Sequence, residues 1–190
     1  VIYVNMEQYT GSAEYIGLPD ENGERTLLSD GSEICRASQI ISSDLFFGET
    51  VDYRLREFAQ SPVQLRSLPE TLLMPEEAPP DRVMRVLSPH LLLRKGNCAI
   101  YDAGENVSGF AVLQIDAAYG ERVTVRYAET FDGEDLNFQS TGAEYRDADG
   151  EPQIMQDVVI GDGKMHLFAP KFVWHAFRYF EVEGNAEPLE

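Results

Sequence analysis

The run HLFAPKFVWHAFRYFEVEG, residues 166–184, constrains the fold more than any other stretch of the chain. From Val173 to Val182 its side chains alternate: Trp174, Ala176, Arg178, Phe180 and Val182 fall on one face, Val173, His175, Phe177, Tyr179 and Glu181 on the other. Both faces carry large apolar bodies. An edge strand open to water would not, so the run is expected as an interior strand covered on both sides, or nearly so. Its aromatic and β-branched residues are the types that pack well on a pleated surface. Ionisable groups set among such aromatics must find partners, because an unpaired buried charge is costly. Arg178 is accordingly expected to bridge to Glu129 or Asp102, with His175 and Glu181 held in the same way.

The rest of the chain repeats the strand signal at short intervals. Val1 to Gln8 and the segment around Tyr15 read as a hairpin, followed by a turn cluster LPDENGER and short extended pieces broken at Asp30-Gly31. Residues 44–62, DLFFGETVDYRLREFAQSP, are less periodic. Val51 to Phe58 has the length for a helical turn or two, but Gly48 and Pro62 punctuate both sides, and the segment is read as irregular. After PVQLRSL, the proline-rich acidic stretch LPETLLMPEEAPPDR reads as a surface linker, since proline supplies no amide hydrogen to a sheet ladder. Three hairpins are expected beyond it, turning at Lys95-Gly96-Asn97, at Tyr119-Gly120 and at Asp162-Gly163. Val123, Val125 and Tyr127 are placed on one strand face, and residues 131–152 form a long polar connection read as an exposed loop. Short strands, turn punctuation and the lack of a sustained helical period predict an all-β fold, an antiparallel sandwich or jelly roll. Residues 61–190 are read as one sandwich module; residues 1–60 are either the tail of a preceding β-sandwich or part of the same one.

Charge bears on partners. With 15 Lys and Arg against 33 Asp and Glu, the 190-residue chain carries a formal charge of -18, a field that repels nucleic acid and anionic membranes. No apolar run is long enough to span a bilayer, and the start, VIYVNMEQ, carries no basic leader and reads as a strand already under way, which suggests an excised piece of a longer protein. Cys35 and Cys98 are too few for a disulfide framework or a zinc site and are read as buried thiols. His90 and His166 lack ligand neighbours at metal spacing. Acidic pairs such as Glu76-Glu77 and Asp147 with Asp149 read as solvated loop, although FDGEDLN could offer oxygens to a calcium ion without the EF-hand spacing. No nucleophile elbow, phosphate loop or dinucleotide fingerprint occurs: Gly104 to Gly109 precedes a strand, not a helix. No cofactor is expected. Trp174 with Phe177, Tyr179 and Tyr145 could form a flat platform for sugar rings, but most strand aromatics are packing residues, and core or the seam to another domain is the favoured reading.

Two segments carry a resemblance. YDAGENVSGFAVLQIDAAYGERVTVRYAETFDGEDLN followed by FAPKFVWHAFRYFEVEG resembles the β-sandwich module that precedes the catalytic barrel in bacterial α-L-rhamnosidases. The family pattern D-x-G-Q-N-x-x-G is met by Asp102, Gly104, Asn106 and Gly109, with Glu105 in the glutamine position. The pattern P-x-F-T-Y-H-G-F-R-Y-V-E-V is met by Pro170, Phe172, His175, Phe177, Arg178, Tyr179 and Glu181, with Trp174 for tyrosine and Ala176 for glycine. Gly48, Glu49, Asp52 and Arg54 are similar to the family segment G-E-x-Y-D-A-R.

The resemblance implies an inverting glycoside hydrolase acting on terminal α-L-rhamnosides, whose general acid and base lie on a helical (α/α) barrel of the same polypeptide. No catalytic residue is assigned to these 190 residues, which are expected to be inactive alone, to brace that barrel and to edge its substrate cleft. An independent carbohydrate-binding module is the alternative. The candidate residues for carbohydrate or interdomain contact are Glu49, Asp52, Arg54, Glu105, Asn106, Trp174, His175 and Arg178, with the polar segments Gly48–Asp52 and Asp102–Asn106 expected at the interdomain surface.

Overall fold

Most of the strands in the described residues are built where the alternation places them, and three local devices decide how they join. The structure is a computed structural model and describes residues 31–64, 82–138 and 154–189; the expected N-terminal hairpin, the proline-rich stretch and most of the polar 131–152 connection lie outside them. The chain divides into two units, one of Val1–Ala37 with Phe58–Val86 and one of Ser38–Glu57 with Leu87–Glu190. In the first, β1 (Ile34–Arg36) pairs antiparallel with β4 (Gln60–Pro62). Cys35 is exposed there, its thiol donating to the Ser61 carbonyl at 3.3 Å, which corrects the expectation of a buried thiol.

The second unit holds two stacked sheets. Seven strands lie in the order β2 (Ile40–Asp44), β3 (Gly48–Asp52), β11 (Gln156–Ile160), β8 (Arg122–Ala128), β13 (His175–Glu183), β6 (Cys98–Gly109), β5 (His90–Lys95). Three form the second sheet in the order β12 (His166–Phe168), β7 (Leu113–Ile115), β14 (Ala186–Pro188). Leu113, Ile115, Phe168 and Ala186 of the small sheet belong to one core with Val123, Val125, Tyr127, Val159, Phe177, Phe180 and Val182 of the large one. A short ribbon, β9 (Thr130–Phe131) paired with β10 (Leu136–Asn137), contributes to a second apolar cluster with Ile100, Ala128 and Tyr179. The described residues contain no α-helix, and the all-β sandwich is as expected. One pair, β11 with β3, is parallel.

The aromatic run is an interior strand, β13 between β8 and β6, but its alternation is not continuous. A bulge lies between Phe177 and Tyr179. Val173, His175 and Phe177 are buried before it, and Phe180 and Val182 after it. There the register jumps, Arg178 alone standing opposite residues 103–106 of β6, and the burial phase of β13 reverses, so Phe180 and Val182 share the face of His175, not that of Trp174 as strict alternation requires. Arg178 lies at the point of that irregularity.

Residues 48–52, read as irregular, are a buried strand inside the large sheet. Gly48 makes this possible: at φ +104° it leads into the strand where a Cβ would sit 2.0 Å from the Gln156 carbonyl oxygen. Of the three expected hairpins, the one at Gly96-Asn97 joins β5 to β6 as expected. The other two are corners. β7 and β8 lie in different sheets, as do β11 and β12. The two corners bond to each other, Gly120 donating to the Gly161 carbonyl and Gly161 to the Glu121 carbonyl, both at 2.9 Å. Turn-forming residues mark a change of direction, and the same chemistry serves a hairpin or a crossing between layers.

Candidate functional site

The residues singled out from sequence separate into a sealed group and an open one. In the sealed group, Glu49, Asp157 and His175 are each 1% exposed or less, beneath Tyr127 at 0%. Asp157 is the hub. Its Oδ1 accepts the Glu49 backbone N–H at 2.9 Å, its Oδ2 accepts the Tyr127 hydroxyl at 2.7 Å, and His175 Nε2 lies 3.3 Å from Oδ1. The His175 and Tyr127 rings stack at 4.1 Å. The Glu49 carboxylate accepts the Lys171 N–H at 3.2 Å, tying β3 to the segment that leads into β13. Burial, reinforced by the charge of Asp157, raises the Glu49 carboxyl above its ordinary value. Burial likewise pushes the Tyr127 phenol well up.

Glu49 and His175 therefore serve the interior in this structure, and the Gly48–Asp52 segment does not form the expected surface. Asp52, 5% exposed, closes on its own neighbour: its Oδ1 accepts the Arg54 N–H at 3.0 Å and Nε–H at 2.9 Å, and its Oδ2 accepts Nη2–H at 2.7 Å. The side-chain bond from Arg54 lowers the Asp52 carboxyl. Arg54 lies over the Tyr119 ring at 5.9 Å, away from the other candidates. Asp157 and Tyr127 had not been singled out for chemistry. The signal was present, since Asp157 is the acid preceding the apolar run VVI in a strand whose neighbours are buried.

The open group gathers Glu105, Asn106 and Arg178. They line a shallow depression of about 550 Å³ together with Gly104, Glu129, Thr130, Phe131 and Tyr179. Asp102 builds it. Its Oδ1 accepts the Gly104 N–H at 2.7 Å, fixing the turn of the chain at φ +90°, and also the Arg178 Nε–H at 3.0 Å. Its Oδ2 accepts Arg178 Nη2–H at 3.0 Å, so one carboxylate shapes the wall and clamps the guanidinium in bidentate fashion. The Arg178 bond holds the Asp102 carboxyl below its ordinary value. The guanidinium lies over the Tyr179 ring at 5.0 Å, and Phe131 packs against the same ring at 5.8 Å. Lys95 pins the turn between β9 and β10, donating to the Glu134 carbonyl at 2.9 Å and to Asp135 at 3.0 Å.

Asp132 Oδ1 accepts the N–H groups of Glu134 and Asp135, each at 2.9 Å, so the FDGEDLN acids serve their own turn and Lys95. Among the described residues no three His, Cys, Asp or Glu side chains converge as metal ligands. Trp174, 46% exposed, points away from the core beside Val173 and His175.

Stacked sheets of seven and three strands, with a core shared between them, define a β-sandwich. Residues 93–190 match the family model of the bacterial α-L-rhamnosidase concanavalin-like domain, and the chain belongs to that family. An α-L-rhamnosidase of Formosa agariphila is 34% identical over 87 residues, 45% of this chain and 9% of the relative; one of Alteromonas sp. (strain LOR) is 29% identical over 122 residues, 64% of this chain and 12% of the relative. The chain thus spans about a tenth of the length of these curated relatives. The solved α-L-rhamnosidase of Dictyoglumus thermophilum has the same fold, with a TM-score of 0.64 at 23% identity, over 80% of this chain and 19% of that one. The Streptomyces avermitilis α-L-rhamnosidase, solved in complex with L-rhamnose, aligns with a TM-score of 0.58 at 24% identity over 77% of this chain and 15% of that one.

Proposed function

We propose that this chain is the non-catalytic β-sandwich of an α-L-rhamnosidase and supports a catalytic domain carried elsewhere on the same polypeptide. The observation that carries the reading is the family match over residues 93–190, joined to relatives about ten times as long as the aligned segment. The chemistry of the described residues supports it. An inverting hydrolase needs two carboxyl groups facing a sugar across a gap of roughly 6.5–9.5 Å that admits a water. Here Glu49 and Asp157 meet inside the core, where no sugar reaches. Glu105 and Glu129 lie in a depression open to solvent, beside an arginine already committed to Asp102.

The sealed cluster gives the module the rigidity of a brace. It joins β3, β8, β11 and the lead into β13 through one set of hydrogen bonds. Release of rhamnose from an aryl rhamnoside tests the reading: the longer polypeptide turns over the substrate and the 190-residue chain alone does not. Comparable turnover by the short chain overturns it. Calorimetric titration of the short chain with rhamnose separates the independent sugar-binding alternative, which requires heat at millimolar sugar.

A further inference from the structure

The bulge at Arg178 has a consequence for the outer face of the large sheet. Trp174 and Ala176 alternate with core residues and face outward, and beyond the bulge Tyr179 and Glu181 continue that face. Trp174 thus stands roughly 13 Å along the strand from Arg178 on one surface. This surface combines an exposed tryptophan, a tyrosine and an arginine whose guanidinium is already held by Asp102 and the Tyr179 ring. Those three residue types dominate the energetics of protein interfaces, and a guanidinium fixed in advance loses less entropy on contact. The rim is acidic. Glu105 and Glu129 line the depression, and Arg178, the cation among the lining residues, is neutralised by Asp102.

We propose that this outer face, from Trp174 to the Arg178 depression, seats a neighbouring domain of the same polypeptide that presents apolar surface to Trp174 and basic side chains to Glu105 and Glu129. The proposal rests on the reading above and specifies which surface is used and what meets it. Charge selects the partner's chemistry: a chain of formal charge -18 repels acidic surfaces and favours basic ones. Length selects its source, since relatives ten times longer than the aligned segment supply a tethered neighbour at high effective concentration. A tethered partner needs only a small, rigid seat, and the Asp102 clamp on Gly104 and Arg178 provides one.

Hydroxyl-radical footprinting read by mass spectrometry tests this directly, because Trp174 is the chain's single tryptophan. Oxidation of Trp174 is expected to be several-fold slower in the longer polypeptide than in the 190-residue chain. Equal rates overturn the proposal. In the longer polypeptide the double variant Glu105→Lys, Glu129→Lys is expected to return Trp174 oxidation to the rate of the short chain; retained protection overturns the basic partner. The denaturation midpoint of the short chain carrying the same changes reports whether it folds, and Glu105→Lys alone, at an exposed position, serves if the double variant does not. Rhamnosidase activity of the longer polypeptide, measured separately, distinguishes failure of this surface from failure of the functional reading.

Discussion

The sealed cluster around Asp157 and the open one around Asp102 use the same chemistry to opposite ends. Each is an aspartate accepting both a backbone N–H and side-chain donors. Around Asp157 every donor belongs to the sandwich core, and the side chains of Asp157 and His175 are wholly shielded. Around Asp102 the partner is Arg178, whose side chain is 40% exposed at the edge of a depression. Burial decides what the bonds are worth. A donor stranded in the interior loses its partner and cannot turn to water, whereas one at the surface is rescued by solvent.

The comparison breaks most sharply at its hub. Asp157→Ala strands the Tyr127 hydroxyl, the Glu49 amide and the His175 ring together, and is expected to lower the unfolding free energy of the chain by about 3–5 kcal/mol. Urea denaturation followed by the Trp174 fluorescence or by far-UV dichroism measures it; a loss below about 1 kcal/mol would mean that the cluster is not the brace described here. The second largest effect belongs to Gly48→Ala. A Cβ there meets the Gln156 carbonyl oxygen at 2.0 Å from a backbone at φ +104°, so strand β3 must shift, at a cost of about 3 kcal/mol. A variant as stable as the parent would refute the close approach of β3 to β11.

These two positions also mark what could be read from sequence. The interior placement of the aromatic run followed from its composition, and so did the β class, because period-2 apolar patterning survives any strand order. That Arg178 must be bridged was legible as well, with Glu129 and Asp102 as the candidates, and the structure selects Asp102. The bulge was not. Alternation counts residues and cannot see a jump in register, and here Phe177 and Phe180, three apart, are the trace that the phase changes. Gly48–Asp52 misled in the opposite sense, since Glu49 looks like surface until Asp157 and Lys171 arrive from elsewhere to satisfy it, and Asp52 until Arg54 folds back on it. Corner and hairpin share their turn residues, so the sheet to which β7 and β12 belong was decided by long-range packing alone.

A smaller effect sharpens the contrast through pH. Glu49 has a raised carboxyl, so between its ordinary value of 4.5 and its folded value the folded chain holds a proton that the unfolded chain has released. Its contribution is complete below pH 4.5 and is lost as the pH rises through the folded value. Glu49→Gln removes the titration while keeping an acceptor for the Lys171 amide. The variant is expected to gain on the parent steadily as pH rises from 4.5; parallel stability curves would show that Glu49 does not titrate above its ordinary value in the folded chain.

Asp102 gives the smallest change, with the opposite sign. Its carboxyl is lowered by Arg178, so its contribution is complete above the ordinary value of 3.8 and disappears as pH falls through the folded value. Asp102→Asn keeps an acceptor for the Gly104 amide but loses the charge that holds the guanidinium over Tyr179. At neutral pH the variant is expected to be slightly less stable than the parent, the gap closing below pH 3.8 and shrinking with added salt, since the pair is partly exposed. Thermal unfolding of both chains across pH 2.5–7, at low and high salt, reads the difference. A gap that persists unchanged at the acid end would mean that Asp102 acts through shape alone, and the electrostatic half of the contrast between the two clusters would fall.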